Sequence, residues 1–390
     1  MNQEKLKATV PEKVDNQYQQ LKEIALKIHD SPELSLNEVK AARWLTEYLE
    51  ENGFSVERGI CGLPTAFRAR YGKNRPTIAF LAEYDALPGV GHACGHNLIA
   101  AIAVGAGVAS QAVIDKLGGS VLVIGTPAEE RGGGKIIMAE KGAFANLDAA
   151  MMVHPGPANI DGFNALAAQH IEVEFLGKSA HAAALPEQGI NALEAMIQSF
   201  NAINSLRQHI RSSARISGII TDGGNAPNVV PEHSAASFLV RATEDDYLGE
   251  LKQKVINCFA GAATATGAQL KYKCAGKSYD TMRNNSVMTN LFVKNTQTLG
   301  REFTPIDPLR AFGSTDMGNV SHVVPSIHPF IAITGPEVAV HSPEFATAAA
   351  SEAGIKGMLD ASKGLAMTAI DLVANPELLK AAREEFEEER

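Results

Sequence analysis

At 390 residues the chain is too long for one hydrophobic core, which seldom grows past roughly 250 to 300 residues, so two domains are expected. Hydrophobic residues make up 45% and charged residues 20%, the balance of a folded globular protein rather than a disordered or fibrous one. A formal net charge of -9 argues against a surface built to neutralise phosphates, so nucleic acid and anionic membrane are excluded as expected partners.

The first 17 residues lack the apolar core of a signal peptide, and no later stretch approaches 18 uninterrupted apolar residues, so a cytoplasmic location is expected. Residues 14–28 place Val14, Tyr18, Leu21, Ala25 and Ile28 at helical spacing. Ser35 and Glu38 have the spacing of a capping box ahead of a second helix that Gly53 ends. Apolar runs at 77–82, 120–125 and 149–153 read as buried strands, with helices at 98–113 and 135–141 between them. That rhythm predicts an α/β sheet with helices on both faces.

From about residue 168 the order becomes strand (170–176), helix (191–206), strand (215–221), strand (235–241), helix (247–266) and strand (269–274). This β-α-β-β-α-β order is the ferredoxin-like plan, expected as an inserted domain over residues 169–282. Residues 1–168 and 283–390 then form one discontinuous domain. Cys61, Cys94, Cys258 and Cys274 do not resemble a disulfide framework; all but Cys94 read as small buried side chains.

Open α/β sheets bind ligands beyond the carboxyl ends of their strands. There the first run is followed by Glu83, Tyr84 and Asp85, the second by Glu129 and Glu130, and the third by His154. Between the first two lies the glycine-flanked loop His92-Ala93-Cys94-Gly95-His96-Asn97, in which Cys94 and His96 are metal-type donors two residues apart. Adjacent carboxylates after a strand point in different directions, so one can bind metal while the other takes a proton from water. The combination points to hydrolysis at a metal site.

The motifs Glu83-Tyr84-Asp85-Ala86-Leu87-Pro88, His92-Ala93-Cys94-Gly95-His96-Asn97, Pro127-Ala128-Glu129-Glu130 and the late His341 together resemble the M20 metallopeptidase/amidohydrolase family over nearly the whole chain. Within it the chain is most similar to the branch of aminoacylases, hippurate hydrolases and p-aminobenzoyl-glutamate hydrolase subunits. The resemblance implies a metallopeptidase-type catalytic domain with a mixed sheet and flanking helices, joined to a lid and dimerisation domain. It also implies one or two divalent ions, zinc, manganese or cobalt, held by Cys94, His96, Glu130, His154 and His341. Cys94 would bridge them, Glu129 would be the general base, and Asp85 would orient a ligand. Glu83 stands where related carboxypeptidases carry a histidine; it either binds metal, suiting manganese, or stays outside the shell.

Gly177-Lys178-Ser179-Ala180-His181 matches the family segment whose histidine reaches the partner subunit's site and polarises the scissile carbonyl, which implies a homodimer. Asn228 and Arg241 resemble the groups that hold the substrate's carboxylate. The implied reaction is hydrolysis of an amide bond in an N-acyl amino acid, a p-aminobenzoyl-glutamate-like compound or a dipeptide, releasing a free amino acid. The alternatives are a dipeptidase or carboxypeptidase acting on small peptides, and a partner-dependent or catalytically silent subunit.

Overall fold

The computed structural model describes residues 3–307 and 313–389. The chain divides into one unit of Met1–Asn164 with Met282–Arg390 and a second of Ala165–Thr281. The insertion therefore runs over 165–281 rather than 169–282, because its first strand already pairs at Ala167.

In the first unit the expected helix over 14–28 is two helices, Val10–Asp15 and Tyr18–Asp30. They part beside Gln17, whose buried side chain accepts a hydrogen bond from the Tyr48 hydroxyl at 2.7 Å. The next helix, Val39–Glu51, begins as expected but without a capping box: the side chain of Glu38 makes no cap hydrogen bond. Ser35 and Glu38 are instead committed to other loops, for reasons given with the site below.

The strands follow in order: β1 (Ser55–Arg58), β2 (Phe67–Gly72), β3 (Thr77–Ala82), β4 (Ser120–Gly125), β5 (Ala149–Met151) and β6 (His154–Gly156). The inserted unit contributes β7 (Ala167–Leu176), β8 (Arg215–Asp222), β9 (His233–Ala242) and β10 (Gln269–Tyr279), and the returning chain adds β11 (Ser326–Ile327) and β12 (Phe330–Ala332). One sheet runs β1-β2-β4-β3-β5-β11. β3 lies parallel to both β4 and β5, whereas β1 and β2 pair antiparallel, so the sheet is mixed as expected. Every residue of β3 and β4 is buried, which is why both read as unbroken apolar runs.

Helix His96–Leu117 lies in the core against this sheet. A Cβ added to Gly107 would meet Val123 of β4 at 2.5 Å, and one added to Gly105 would meet Leu21 at 2.8 Å. Small residues thus let the helix approach its neighbours closely. Its 22 residues are long and apolar enough to cross a membrane, but 83% of the apolar window is buried within the protein, which marks a core helix.

The inserted unit is one antiparallel sheet in the order β10-β7-β9-β8. Ile171, Val173 and Phe175 point into a core shared with Met196, Ile203, Leu251, Val255 and Phe259 from helices Ala192–Leu206 and Asp245–Thr266. The intervening His170, Glu172 and Glu174 face out, giving the period-two pattern of a sheet covered on one side. This is the ferredoxin-like plan. Cys274 is exposed on the edge strand β10, and Cys61 and Cys258 are half-buried, so none of the three is the fully buried thiol expected.

Candidate metal centre

The carboxyl ends of β3, β4 and β5 bring the motif residues of the first unit together. Gly95 opens the core helix with φ 81°, and a Cβ there would lie 2.9 Å from Pro155, so the turn between Cys94 and His96 needs glycine. Cys94 Sγ sits 3.3 Å from His154 Nε2. The other ring nitrogen of His154 donates to the Pro155 carbonyl at 2.6 Å, which turns Nε2 toward the thiol. His96 is held in the same way: its Nδ1 lies 2.9 Å from the Asp85 carbonyl and 3.1 Å from Asp85 Oδ1.

Asp85 therefore orients a metal-type ligand. Its second oxygen accepts from Ser35 Oγ at 2.7 Å and from the Glu130 backbone N–H at 3.0 Å. Burial opposes its charge, but the His96 imidazole and these donors hold its carboxyl down to about 2.

Glu129 and Glu130 follow Ala128, a non-glycine residue with φ 63°. This turn is secured by Glu38, which accepts from the Ala128 N–H at 2.9 Å, the Leu36 N–H at 2.8 Å and the Thr65 hydroxyl at 2.9 Å. His341, with φ 70°, donates its backbone N–H to the Ala93 carbonyl at 2.9 Å, and its Nε2 lies 3.6 Å from Glu130 Oε1.

Two donor sets result, Cys94 with His96 and His154, and Cys94 with Glu130 and His341; within each, the ligand atoms lie within 4.8 Å of one another. Cys94 belongs to both. The buried His96 Nε2 and Glu130 Oε1 have no hydrogen-bond partner among the described residues, although an unpaired buried polar atom is costly. Thiolate, imidazole and carboxylate donors converging on such atoms fit a divalent-metal site.

Burial and neighbouring carboxylates set the electrostatics of the site. Burial pushes the Cys94 thiol up. Burial and the neighbouring His328 hold His154 down at about 3, so it is neutral. Glu129 is pushed well above the ordinary carboxylate range by desolvation and then by the Glu83, Asp316 and Glu130 carboxylates.

Lys135 and His328, beside the centre, belong to no motif. Asp316 lies in Gly313-Ser314-Thr315-Asp316-Met317-Gly318, which resembles a family loop near the catalytic cleft and reads equally well as a turn with an N-cap. Lys135 is wholly buried and bonds Glu83 Oε1 at 2.5 Å and Asp316 Oδ1 at 2.6 Å. A lysine inside the apolar segment Lys135-Ile136-Ile137-Met138 just after the glutamate pair was the one available hint. Asp316 sits at the start of helix Met317–Ser321 without capping it, its carboxylate being turned to Lys135. His328, which no motif marked, stacks on His154 with ring centroids 5.6 Å apart and packs against Phe163 and Phe330.

His181, Asn228 and Arg241 belong to the second unit. The His181 loop pairs with the Asn228 loop: Ala182 N–H donates to the Asn228 carbonyl at 3.0 Å, and His181 bridges Val229. His181 is exposed, and its Nδ1 accepts from the Ala183 and Ala184 N–H groups at 3.3 and 3.2 Å. Arg241 projects from β9, and its Nε is buried without a hydrogen-bond partner among the described residues.

A mixed α/β sheet whose carboxyl edge carries two metal-type donor sets beside a glutamate defines a metal-dependent hydrolase. Comparison with known proteins assigns the family. Residues 167–265 match the M20 peptidase dimerisation domain. The chain is 38% identical to the Xaa-Arg dipeptidase of Mus musculus, over 98% of its own length and 92% of that protein's. It is 28% identical to one of the p-aminobenzoyl-glutamate hydrolase subunits of Escherichia coli K12, over 97% of its length and 94% of the relative's. Among solved structures, a putative aminohydrolase from methicillin-resistant Staphylococcus aureus superposes with a TM-score of 0.80 at 20% identity, covering 94% of this chain and 99% of the other. A Bacillus subtilis protein described as a dinuclear metal-binding M20 peptidase superposes with a TM-score of 0.72 at 22% identity, covering 92% and 99%. The chain belongs to the M20 family of metallopeptidases and amidohydrolases, and it is a hydrolase of amide bonds.

Proposed function

We propose that this protein is a two-metal dipeptidase, cutting the amide bond that precedes a C-terminal amino acid, with basic residues preferred at that end. The shared position of Cys94 in both donor sets carries the metal assignment. The full-length similarity to a dipeptidase described as acting on Xaa-Arg carries the substrate. Cys94, His96 and His154 would hold one ion, and Cys94, Glu130 and His341 the other. Bound divalent ions supply polarisation of the scissile carbonyl and a more acidic water.

The chain's own residues do the rest. Glu129 takes a proton from the attacking water and returns it to the departing amine nitrogen. Its closeness to His96 and Glu130 supports this, since ligand atoms of the three lie within 4.8 Å of one another. Asp85 fixes the His96 ring, and Glu38 fixes the turn that aims Glu129. With Nδ1 of His181 accepting two backbone N–H groups, the neutral ring carries its proton on Nε2, suited to donate to the developing oxyanion. Arg241 and Asn228 would bind the substrate carboxylate; a half-buried arginine with a buried, unpaired Nε suits that task.

The working form is a homodimer with His181 serving the partner subunit's centre. The exposed edge strand β8, with Ile219 66% and Ile220 44% exposed, is the surface in the dimerisation domain that supports pairing. A second reading, hydrolysis of p-aminobenzoyl-glutamate-like amides with a second, different subunit, is favoured by the Escherichia coli relative.

The test is amino acid release from dipeptides ending in Arg, Lys, Ala and Glu, from N-acetyl amino acids and from p-aminobenzoyl-glutamate, after chelation and re-addition of zinc, manganese or cobalt. Metal-restored release of arginine or lysine is expected. Restored activity on p-aminobenzoyl-glutamate or N-acetyl amino acids alone would refute the dipeptidase assignment.

A further inference from the structure

Lys135, Glu83 and Asp316 form an ion cluster sealed from water, each residue 0 to 1% exposed. The lysine ammonium is gripped on two sides, by Glu83 Oε1 at 2.5 Å and Asp316 Oδ1 at 2.6 Å, while its own backbone N–H donates to Asp316 Oδ2 at 2.9 Å. Ligand atoms of Glu83, Asp316 and Glu129 lie within 4.8 Å of one another, an arrangement that would otherwise repel or recruit a cation. The ammonium is that cation, built into the chain.

Glu83 also faces the metal centre. Its other oxygen, Oε2, is buried without a hydrogen-bond partner among the described residues and lies 3.4 Å from His96 Nε2, the atom that would face an ion. A carboxylate oxygen binds a divalent ion at about 2.0 to 2.2 Å, so this side chain needs only a small shift to join the shell. That shift would stretch the 2.5 Å contact between Glu83 Oε1 and the buried ammonium, and weakening such a buried ion pair is unfavourable.

We propose that Lys135 is a positioning residue that keeps Glu83 out of the metal shell, leaving the ion beside His96 with sulfur and imidazole donors. It thereby sets the metal preference of the protein. A shell of thiolate and two imidazoles suits zinc, whereas an added carboxylate oxygen favours a harder ion such as manganese. The inference rests on the proposed assignment of Cys94, His96 and His154 as ligands.

The experiment is metal analysis of the purified protein, followed by direct competition between zinc and manganese, for the wild type, Glu83→Gln, Lys135→Met and the double variant. Glu83→Gln should keep the wild-type metal content and preference, because Glu83 is not a ligand while Lys135 holds it. Lys135→Met should shift the competition toward manganese by about tenfold or more, and adding Glu83→Gln to it should abolish the shift. That reversal separates a role through Glu83 from general damage to the fold. Loss of metal in Glu83→Gln alone, or an unchanged preference in Lys135→Met, would overturn the proposal. If Lys135→Met does not fold, the metal content of Glu83→Gln decides it. A wild-type protein that binds no divalent ion would instead overturn the metal assignment on which the inference stands.

Discussion

As proposed ligands of one ion, Cys94, His96 and His154 differ in the proton each would give up before the ion binds. The buried Cys94 thiol is pushed up and so is protonated at neutral pH. Burial opposes charge on His96, but Cys94 and then the Asp85 and Glu83 carboxylates raise it well above the ordinary histidine value. His154, held at about 3, has already lost its proton. If this triplet binds the ion, uptake near pH 7 should release at least the Cys94 thiol proton, and affinity should rise with pH by roughly tenfold per unit or more. Calorimetric titration of zinc in buffers of different ionisation enthalpy measures that number directly; release of none would mean that Cys94 and His96 are not ligands.

Glu129 makes the complementary prediction. A general base contributes about 10²- to 10⁴-fold to turnover, so Glu129→Gln should lower kcat by that order while KM and bound metal stay near wild type. His154→Ala should lose metal and activity together, because its Nε2 faces the shared thiol. Metal analysis alongside steady-state kinetics separates the two.

At the scale of elements, the site hangs on loops pinned from behind. The segment between helices Tyr18–Asp30 and Val39–Glu51 is fastened twice, by Ser35 to Asp85 and by Glu38 to Ala128. Glu38→Ala would leave the Leu36 N–H and the buried Ala128 N–H and Thr65 hydroxyl without their acceptor, each buried unsatisfied group costing about 1–3 kcal/mol. We expect a lower melting temperature and a fall in kcat of about tenfold with little change in KM, since the turn before Glu129 loosens while the carboxylate-binding groups are untouched. Glu38→Gln, which keeps one acceptor oxygen, should recover part of kcat; no recovery would point to a purely structural role.

This segment also marks where the sequence was legible and where it was not. The convergence of Cys94, His96, Glu130 and His154 could be read because donor-type side chains are few and these follow apolar strands whose ends define the rim. The inserted unit could be read because alternation and helical spacing are local. Ser35 and Glu38 misled because their spacing is also that of a capping box, while their true partners lie 50 and 90 residues away. Lys135 and Asp316, separated by 181 positions, meet only in three dimensions, and a lone lysine or aspartate carries no mark of burial. The β1–β2 hairpin went unread because its outer strand is largely exposed and lacks an apolar run.

At the scale of the whole molecule, the two groups proposed to act on the scissile amide, Glu129 and His181, belong to different units of the chain. His181 lies in the dimerisation domain, on a loop braced by the Asn228 segment, with Nδ1 occupied and Nε2 left to donate. If it serves the partner subunit's centre, a chain lacking Glu129 still offers a competent His181, and a chain lacking His181 still offers a competent Glu129. Glu129→Gln and His181→Ala proteins should each be nearly inactive as homodimers. Mixed under conditions that allow subunits to exchange, random pairing makes about half of the dimers hybrids, and each hybrid contains one centre with both groups intact. Activity should then climb to about one quarter of wild type, with a time course that follows subunit exchange measured by fluorescence transfer between labelled chains. If His181 serves its own chain, every centre in every hybrid lacks one group, and full exchange would leave the mixture as inactive as its parents.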